Sequence, residues 1–270
     1  MEVVSSVWRS LVHTSATDAA AARKLLERIH HALLDVYRAK LAREGADAAL
    51  ALTVEEIAPI KALCDELTPA HFRLTMPETA NSELPRHAGR RNRVRYQHIS
   101  ENELFSMGIF ILPPGSSIPL HDHPEMSVIS RVLYGGLHVK SFDIVDSKEA
   151  RDVRTQLERA DPSAVSESRH IARLFQDDII TAPHTTDLLP DRGNLHEFVA
   201  DEELGCAIFD ILTPPYESDD GRDCTYYRLV GEAITADNGQ QYVELEEFNP
   251  QHFEVVSEPY LGPRLPSQPY

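Results

Sequence analysis

Cysteine is scarce in this chain: among 270 residues only Cys64, Cys206 and Cys224 carry thiols. So small and odd a number gives no even disulfide framework, and no Cys-x-x-Cys pair suggests a thiolate metal site. We therefore expect a reducing compartment, namely the cytoplasm. The first sixteen residues are poor in acid and include Arg9, which leaves a nuclear or mitochondrial location as the alternative.

Basic residues and long apolar runs are also scarce. The chain has 26 Lys and Arg against 43 Asp and Glu, a formal net charge of −17. Such a surface repels phosphates, so nucleic acid is not an expected partner. No apolar stretch approaches the length of a membrane span, so we expect no membrane insertion. We expect a monomer whose acidic field favours cationic partners, such as the free amine of a protein N-terminus.

Two helices are predicted near the beginning of the chain. Between residues 18 and 43, apolar side chains recur at helical spacing at Leu26, Ile29, Leu33, Tyr37 and Leu41. A capping-box pattern over residues 53–56 starts a second helix, which should run to about Glu66, before Thr68 and Pro69. We assign residues 1–68 to an N-terminal helical segment that packs on the rest of a single-domain protein.

From about residue 92 the pattern changes to short strands. Residues 94–99, 105–112 and 174–181 alternate in polarity or are apolar, and Gly and Pro separate the runs. Many short strands at turn spacing predict a barrel or sandwich. A charged stretch near residues 147–170, with a helix over 151–159, interrupts the strands and is interpreted as a surface insertion. Residues 69–270 are therefore predicted to form a mainly β domain.

The pair His121 and His123 is the strongest chemical signal. One intervening residue places both imidazoles on the same face of a strand. Imidazole is the commonest protein ligand for transition metals, so the pair forms half of a metal site. The alternative is a surface pair that arose by chance among thirteen histidines.

The residues around this pair resemble the first motif of the cupin superfamily, which reads glycine, five residues, His-x-His, four residues, glutamate, six residues, glycine. Gly115 and Gly135 occupy the glycine positions, and Val128 stands where the glutamate usually ligates the metal. The resemblance implies a double-stranded β-helix, a jelly-roll barrel. Glu125 could replace the missing carboxylate, but Pro124 interrupts strand pairing, so we expect Glu125 at the solvated rim.

The second cupin motif normally supplies the last histidine, and residues 190–196 resemble it. Gly193 and Asn194 are a turn signal directly before an alternating run. The resemblance therefore predicts His196 as the third ligand. A capping role for His196 is the alternative, and His170 and His184 are weaker competitors for the ligand position.

Longer motifs resemble the cysteamine dioxygenase and plant cysteine oxidase family. They lie at residues 117–124, 132–135, 137–141, 210–216 and 220–227. The likeness covers roughly residues 90 to 230, with further similarity near the C-terminal end at 258–264. One departure is Glu125, because the family commonly has a small residue, often glycine, at that position. The departure concerns substrate fit at the mouth of the site more than metal binding.

This resemblance implies a non-haem Fe(II) thiol dioxygenase that uses O2 to convert a thiol to a sulfinic acid. Three neutral imidazoles leave Fe(II) its full charge, which attracts a thiolate and lowers the pKa of the thiol. Three further positions on an octahedral ion suffice for thiolate, substrate amine and O2. Bringing the reactants together on one ion removes much of the entropic cost of their meeting.

The resemblance also implies a substrate with a free amine two carbons from the sulfur. An N-terminal cysteine of a protein ranks first, which would make the enzyme an oxygen sensor of the N-degron pathway, and cysteamine, giving hypotaurine, ranks second. Free cysteine is an alternative substrate. A non-catalytic metal-binding cupin is a further alternative. A metal-dependent isomerase or decarboxylase is disfavoured, because it would require the glutamate that Val128 replaces.

Four further residues are candidates for roles around the metal. Asp210 lies in an apolar run, so its carboxylate must find a partner or shift its pKa. A role in turnover and a structural role before Pro214 and Pro215 are equally supported. Tyr216 either hydrogen-bonds a bound ligand or forms part of the wall.

Cys224 and Tyr226 have the spacing at which cysteamine dioxygenases are associated with a thioether cross-link. Two residues on one face of a regular strand are the plain alternative. Arg131 is expected to pair with an acid on the surface, where ion pairs contribute little to stability.

Overall fold

The computed structural model describes residues 16–45, 48–77, 92–160, 169–236 and 239–265. Two helices precede the strands, α1 (Ala16–Glu44) and α2 (Val54–Cys64), followed by a short 3-10 helix (Pro69–Phe72). The predicted capping box is present: the Thr53 hydroxyl accepts from the Glu56 backbone N–H, and the Glu56 carboxylate accepts from that of Thr53. The apolar spacing located α1 and the capping box located the start of α2, which ends at Cys64, two residues before the predicted end.

Within the described residues, eleven strands, one more α-helix and a second 3-10 helix (Ser218–Asp220) follow. The strands are β1 (Asn92–Glu101), β2 (Ser106–Leu112), β3 (Ser117–His121), β4 (Ser127–Ile144), β5 (His170–Thr181), β6 (His184–Leu188), β7 (Leu195–Ala200), β8 (Cys206–Thr213), β9 (Tyr227–Thr235), β10 (Gln241–Glu247) and β11 (Phe253–Ser257). Helix α3 (Ser147–Ala160) lies between β4 and β5. The fold is mainly β, as predicted.

The long strand β4 joins two layers into a barrel. Its first half pairs with β6 and β8, and its second half pairs with β5 and β7. The change of partner occurs at Gly135, where φ is +70° and a Cβ atom would lie 1.8 Å from the Gly205 carbonyl oxygen. Only glycine permits this approach. Together with the antiparallel pairing of β3 with β7, this topology is the double-stranded β-helix of the cupins, which confirms the predicted fold class.

The N-terminal helices cover the outer face of one layer. Leu26, Ile29 and Leu33 of α1 are fully buried in one apolar cluster with Ile109 of β2 and Phe209 of β8. Burying side chains of this size contributes roughly 1.5–3 kcal/mol each. The helical segment thus shares its core with the barrel, while the division at residue 68 stays a prediction.

The charged stretch after β4 forms helix α3, as predicted. Its Ala150 and Val153 are buried against Ile171 of β5 and Tyr242 of β10, while several other side chains of the helix are exposed. The insertion therefore packs on the outside of the barrel. Among the helices of the described residues, none is long and apolar enough to cross a membrane.

Candidate metal centre

The structure brings His121, His123 and His196 together at one end of the barrel. One ring nitrogen from each lies within 4.8 Å of the others, and the ring centroids are 4.7–4.9 Å apart. His121 and His196 face each other across the β3–β7 pair. Within the described residues this is the only cluster of three or more His, Cys, Asp or Glu side chains arranged to hold a metal ion.

The strand argument for the His-x-His pair is only half right. Strand β3 ends at His121, so His123 lies in the irregular segment before β4 and is not placed by strand alternation. Its backbone is instead held by the side chain of Asn194, which accepts from the His123 N–H at 3.1 Å and donates to the His123 carbonyl oxygen at 2.7 Å. Beyond the end of β3, the Asn194 amide group thus makes the two backbone hydrogen bonds that a neighbouring strand would otherwise supply.

All three imidazoles are neutral at pH 7 because they are buried. The three histidines are 8%, 4% and 7% exposed in chain order. Loss of solvent lowers the pKa of His121 to about 4 and that of His123 to about 3, and it lowers the pKa of His196 well below the ordinary value. A metal ion at this position therefore competes with few protons at pH 7.

Hydrogen bonds orient two of the rings. The Nδ1 atom of His121 lies 2.8 Å from the carbonyl oxygen of Pro119, and that of His123 lies 3.1 Å from the carbonyl oxygen of Asn194. A carbonyl oxygen can only accept, so each neutral ring carries its proton on Nδ1 and keeps the Nε2 lone pair free for a metal ion.

The competing ligand candidates lie apart from this cluster. The Nε2 atom of His170 on β5 lies 3.5 Å from Oε1 of Glu247, and His184 on β6 is exposed. Glu125 is exposed with a left-handed φ of +57°, as expected of a rim residue. Val128, at the usual glutamate position, is buried in an apolar cluster with Leu212. The three histidines thus stand without a carboxylate at that position.

Cys224, Tyr216 and Tyr226 form a wall beside the histidines. The Cys224 thiol hydrogen-bonds both tyrosine side chains. The Tyr216 ring centroid lies 5.6 Å from that of His123, and the Tyr226 centroid lies 6.0 Å from that of His121. Burial raises the pKa of the Cys224 thiol to about 11, so it stays protonated at pH 7. We call these three residues the Cys-Tyr wall.

Cys224 and Tyr226 do not belong to a regular strand, because β9 begins at Tyr227 and Tyr226 makes only an isolated bridge to His121. The alternative of two residues on one strand face is therefore wrong. Their side chains nevertheless lie close enough to interact. This arrangement places thiol and phenol in contact, which a cross-link requires.

Asp122, between the two histidines of the first motif, ties the Cys-Tyr wall to them. Its carboxylate accepts from the backbone N–H of Thr225 at 2.8 Å and from the Tyr227 hydroxyl at 3.1 Å. Its carbonyl oxygen accepts from the Tyr216 hydroxyl at 2.7 Å, and its N–H donates to the Thr225 carbonyl. The pattern His-x-His gave no indication of this role for the middle residue.

Asp210 lies on β8 and faces the barrel interior. It is paired in register with Ser130 of β4, whose hydroxyl hydrogen-bonds the carboxylate. Ser130 also lines a cavity of about 30 Å³ that reaches His196. Burial raises the pKa of Asp210 to about 7, and its Oδ1 has no hydrogen-bond partner. A buried carboxylate in this state carries or releases a proton near neutral pH.

Arg131 corrects the expectation of a surface pair. It is 6% exposed and lies under the helical segment, where it donates to the Asp65 backbone carbonyl at 2.8 Å and to the Thr185 hydroxyl at 3.0 Å. It does contact an acid, since its Nη1 is 3.3 Å from the exposed Asp65 carboxylate. Arg131 thus connects α2 to the barrel and takes no part in the histidine cluster.

A groove of about 740 Å³ opens at the other end of β7. Exposed Ile179 and Val199 line it, with Met76 and the acidic residues Asp201 and Glu202 nearby. None of the three histidines borders this groove. Its size does not make it the reactive site, because the groups with shifted pKa values and metal-binding geometry lie elsewhere.

Several known proteins are similar to this chain. The family model described as PCO_ADO matches residues 63–265. Plant cysteine oxidase 1 of Arabidopsis thaliana is 34% identical, over 74% of this chain and 66% of that protein. The 2-aminoethanethiol dioxygenase of Homo sapiens is 31% identical, over 78% of this chain and 82% of that protein. An RmlC-like cupin from Shewanella frigidimarina aligns over 46% of this chain and 78% of its own, with 18% identity and a TM-score of 0.29.

Proposed function

This chain belongs to the PCO_ADO family, whose relatives are named as thiol dioxygenases, and from that premise we propose that it is a mononuclear non-haem Fe(II) thiol dioxygenase. The proposed ligands are His121, His123 and His196. The reaction joins both atoms of O2 to the sulfur of a thiol, RSH + O2 giving RSO2⁻ and one proton. The thiol is oxidised and O2 is reduced, so no other co-reactant is needed.

The observation that carries the metal proposal is the chemistry of the donor set. Three buried, neutral imidazoles converge within 4.8 Å, and a valine occupies the position of a carboxylate ligand. Imidazole suits Fe(II), and three ligands on one face of an octahedral ion leave the other face open. Fe(II) bound there would retain its double charge, lower the pKa of a bound thiol and supply positions for the thiolate and O2.

The residues around the centre have distinct proposed roles. Tyr216 closes one side of the site, since its hydroxyl is held on the Asp122 carbonyl and its ring lies beside His123. Asp210 holds a proton at its unpartnered Oδ1 near pH 7, and Ser130 orients its other oxygen. Proton transfer through such a group serves a reaction that releases the thiol proton. Cys224 and Tyr226 form the remaining wall. In the proposed mature state a thioether joins the Cys224 sulfur to a ring carbon of Tyr226, and its formation removes the thiol hydrogen and one ring hydrogen, with O2 as the two-electron oxidant.

We propose the N-terminal cysteine of proteins as the first substrate and cysteamine as the second. Both carry an amine two carbons from the sulfur, and the relatives include proteins named for cysteine and for 2-aminoethanethiol oxidation. The net charge of −17 favours encounter with a cationic amine. Oxidation of an N-terminal cysteine would make the protein an oxygen sensor of the N-degron pathway. The cytoplasmic location and the monomeric state stay predictions.

The test is anaerobic reconstitution with Fe(II), followed by O2 consumption and product mass with four thiols: a peptide that begins with cysteine, the same peptide acetylated at its N-terminus, cysteamine and free cysteine. We expect a gain of two oxygen atoms on the free-amine peptide and on cysteamine, and none on the acetylated peptide. Oxidation of free cysteine alone would replace the proposed substrate. Absence of O2 uptake with every thiol at one equivalent of bound iron would indicate a non-catalytic metal-binding protein.

A further inference from the structure

The two histidines of the first motif are held in different ways. The ring of His121 is oriented by the carbonyl oxygen of Pro119, two residues earlier in the same strand. The ring of His123 is oriented by the carbonyl oxygen of Asn194, which lies 71 positions away in the turn before β7. The ring of His121 therefore has an acceptor within its own strand, although β3 itself is paired with β7 in register at His196. His123 depends on a distant segment.

Asn194 holds His123 at three points. Its Oδ1 accepts from the His123 N–H, its Nδ2 donates to the His123 carbonyl oxygen, and its own carbonyl oxygen accepts from His123 Nδ1. Asn194 is itself buried, with 7% exposure. Since His123 lies beyond the end of β3, these contacts fix its ring, and they fix its backbone together with the Met126 N–H, which also donates to the His123 carbonyl oxygen.

A second buried residue fixes the turn that carries Asn194. The carboxylate of Asp143, at the end of β4, accepts from the Gly193 N–H at 2.5 Å and from the Asn194 N–H at 3.4 Å. Gly193 has a φ of +64°, and a Cβ there would lie 3.1 Å from the Phe175 ring. Asp143 of β4 and Phe175 of β5 therefore fix the turn, which in turn holds His123 through Asn194.

We propose that Asn194, supported by Asp143, is the positioning residue that makes His123 a metal ligand. This inference rests on the proposed metal centre. Asn194 contacts His123 directly. Its side chain fixes the His123 backbone, and its carbonyl oxygen fixes the ring orientation and the Nδ1 proton. Partners of this kind typically change metal affinity roughly 10–100-fold when they are removed.

Asn92 of β1 provides a matched control, because its side chain holds strand β3, which leads into the His123 segment. Its side chain holds β3 in the same manner, donating to the Ser117 hydroxyl at 2.9 Å and to the Ser117 carbonyl, and accepting from the Ser117 N–H at 3.0 Å. Ser117 lies at the end of β3 away from His121. Asn92→Ala therefore removes a comparable set of hydrogen bonds from the same strand without touching the histidines.

The experiment measures Co(II) affinity by anaerobic competition with a chelator, together with the visible spectrum of the Co(II)-loaded protein. The proteins are wild type, Asn194→Ala, Asn194→Asp, Asp143→Asn, Asn92→Ala and His123→Ala, and urea unfolding of each metal-free protein reports folding. Asn194→Ala keeps the main-chain carbonyl that accepts from His123 Nδ1 but removes both side-chain bonds to the His123 backbone. We therefore expect affinity to fall toward the lower end of the roughly 10–100-fold range, with a spectrum shifted toward that of His123→Ala. Asn194→Asp keeps the acceptor for the His123 N–H but opposes oxygen to oxygen at the His123 carbonyl, so it should also weaken binding. Asn92→Ala should lower stability and leave affinity and spectrum as in wild type.

The outcomes separate the two proposals. Wild-type protein that binds no Co(II) would overturn the metal centre itself. Tight binding by wild type and equally tight binding by folded Asn194 variants would overturn only the positioning role. Equal weakening by Asn92→Ala would show a general effect of strand stability and would likewise overturn it. If Asn194→Ala does not fold, Asn194→Asp and Asp143→Asn decide, because wild-type affinity and spectrum in both would reject the proposal.

Discussion

The barrel interior has two halves that are equally buried and chemically opposite. In the apolar half, Val132, Phe198 and Ile208 belong to one cluster of buried side chains. In the polar half, two positions away on the same three strands, stand Ser130, His196 and Asp210. Because alternate residues of a strand share a face, all six point inward. Each of the three strands thus contributes an apolar side chain to one half and, two positions away, a polar side chain to the other.

The difference between the halves shows which one stabilises the fold. Burial of apolar surface contributes roughly 25 cal/mol per Å² in the first half. In the polar half the same burial lowers the pKa of His196 and raises that of Asp210, and it leaves the Asp210 Oδ1 without a partner. Such groups weaken a core unless a ligand or a reaction uses them. The polar half is therefore the one to which we assign the proposed function.

The largest effect should come from His196→Ala. The variant removes one of three imidazoles, so iron content after anaerobic reconstitution should fall from one equivalent to a trace, and O2 consumption with cysteamine should be lost. Metal analysis after gel filtration is the measurement. Full iron occupancy in the purified variant would mean that His196 is not a ligand.

Phe198→Ala tests the apolar half. Phe198 lies on the same strand face as His196, with the two ring centroids 4.2 Å apart. Removing a buried phenylalanine should lower the free energy of unfolding by roughly 3–5 kcal/mol. Urea unfolding of the metal-free protein measures this loss. Iron uptake should stay at one equivalent in the folded variant, and a stability loss smaller than that of His196→Ala would remove the contrast between the halves.

Asp210→Asn tests the polar half without removing a proposed ligand. Iron should stay bound, while turnover should fall because the amide cannot carry the proton. A variant with full iron and wild-type turnover would assign Asp210 to structure alone.

The same substitution has a predicted pH signature in the metal-free protein. The folded pKa of about 7 lies above the unfolded value, so the folded state binds the extra proton and wild type loses stability as the pH rises from 4.5 to 7.5. Relative to Asp210→Asn, we expect a loss on the order of 3 kcal/mol. The histidine contributions have the opposite sign and cancel in the difference. Parallel pH profiles for the two proteins would contradict the raised pKa.

The smallest effect should come from Glu125→Gly at the rim. Glu125 has a φ of +57°, a conformation that costs a residue with a side chain more than it costs glycine. The substitution should change the free energy of unfolding by about 1 kcal/mol or less, in the stabilising direction, with unchanged iron content. The ratio of rates for peptide and cysteamine should shift, and an unchanged ratio would place Glu125 outside the path of the substrate.

Local patterns predicted much of this architecture. Apolar spacing located α1, a capping box located the start of α2, and alternating runs located the strands, because each depends on neighbouring residues. The three histidines could be chosen because their motifs have fixed spacing. Arg131 was misjudged because alternation predicts that a side chain faces outward, while it does not reveal that α2 will cover that outer face.

The partners of the histidines left no local signal. Asn194 gives only a turn signal and Asp143 gives none, because their contacts join segments far apart in the chain. Asp122 stood between two conspicuous histidines, yet its own bonds to residues 225 and 227 follow from the return of the chain along the site. Relations of this kind arise from topology, which residue order alone does not display.

The separation of His123 from Asn194 also has a consequence in time. During synthesis, His121 and His123 leave the ribosome long before the segment that orients the second ring and supplies His196. Closing so long a loop is a slow, late event in folding. An iron ion that arrives early meets only two imidazoles, one of them not yet oriented. We therefore expect metal capture to follow folding, with the folded chain as the receptor.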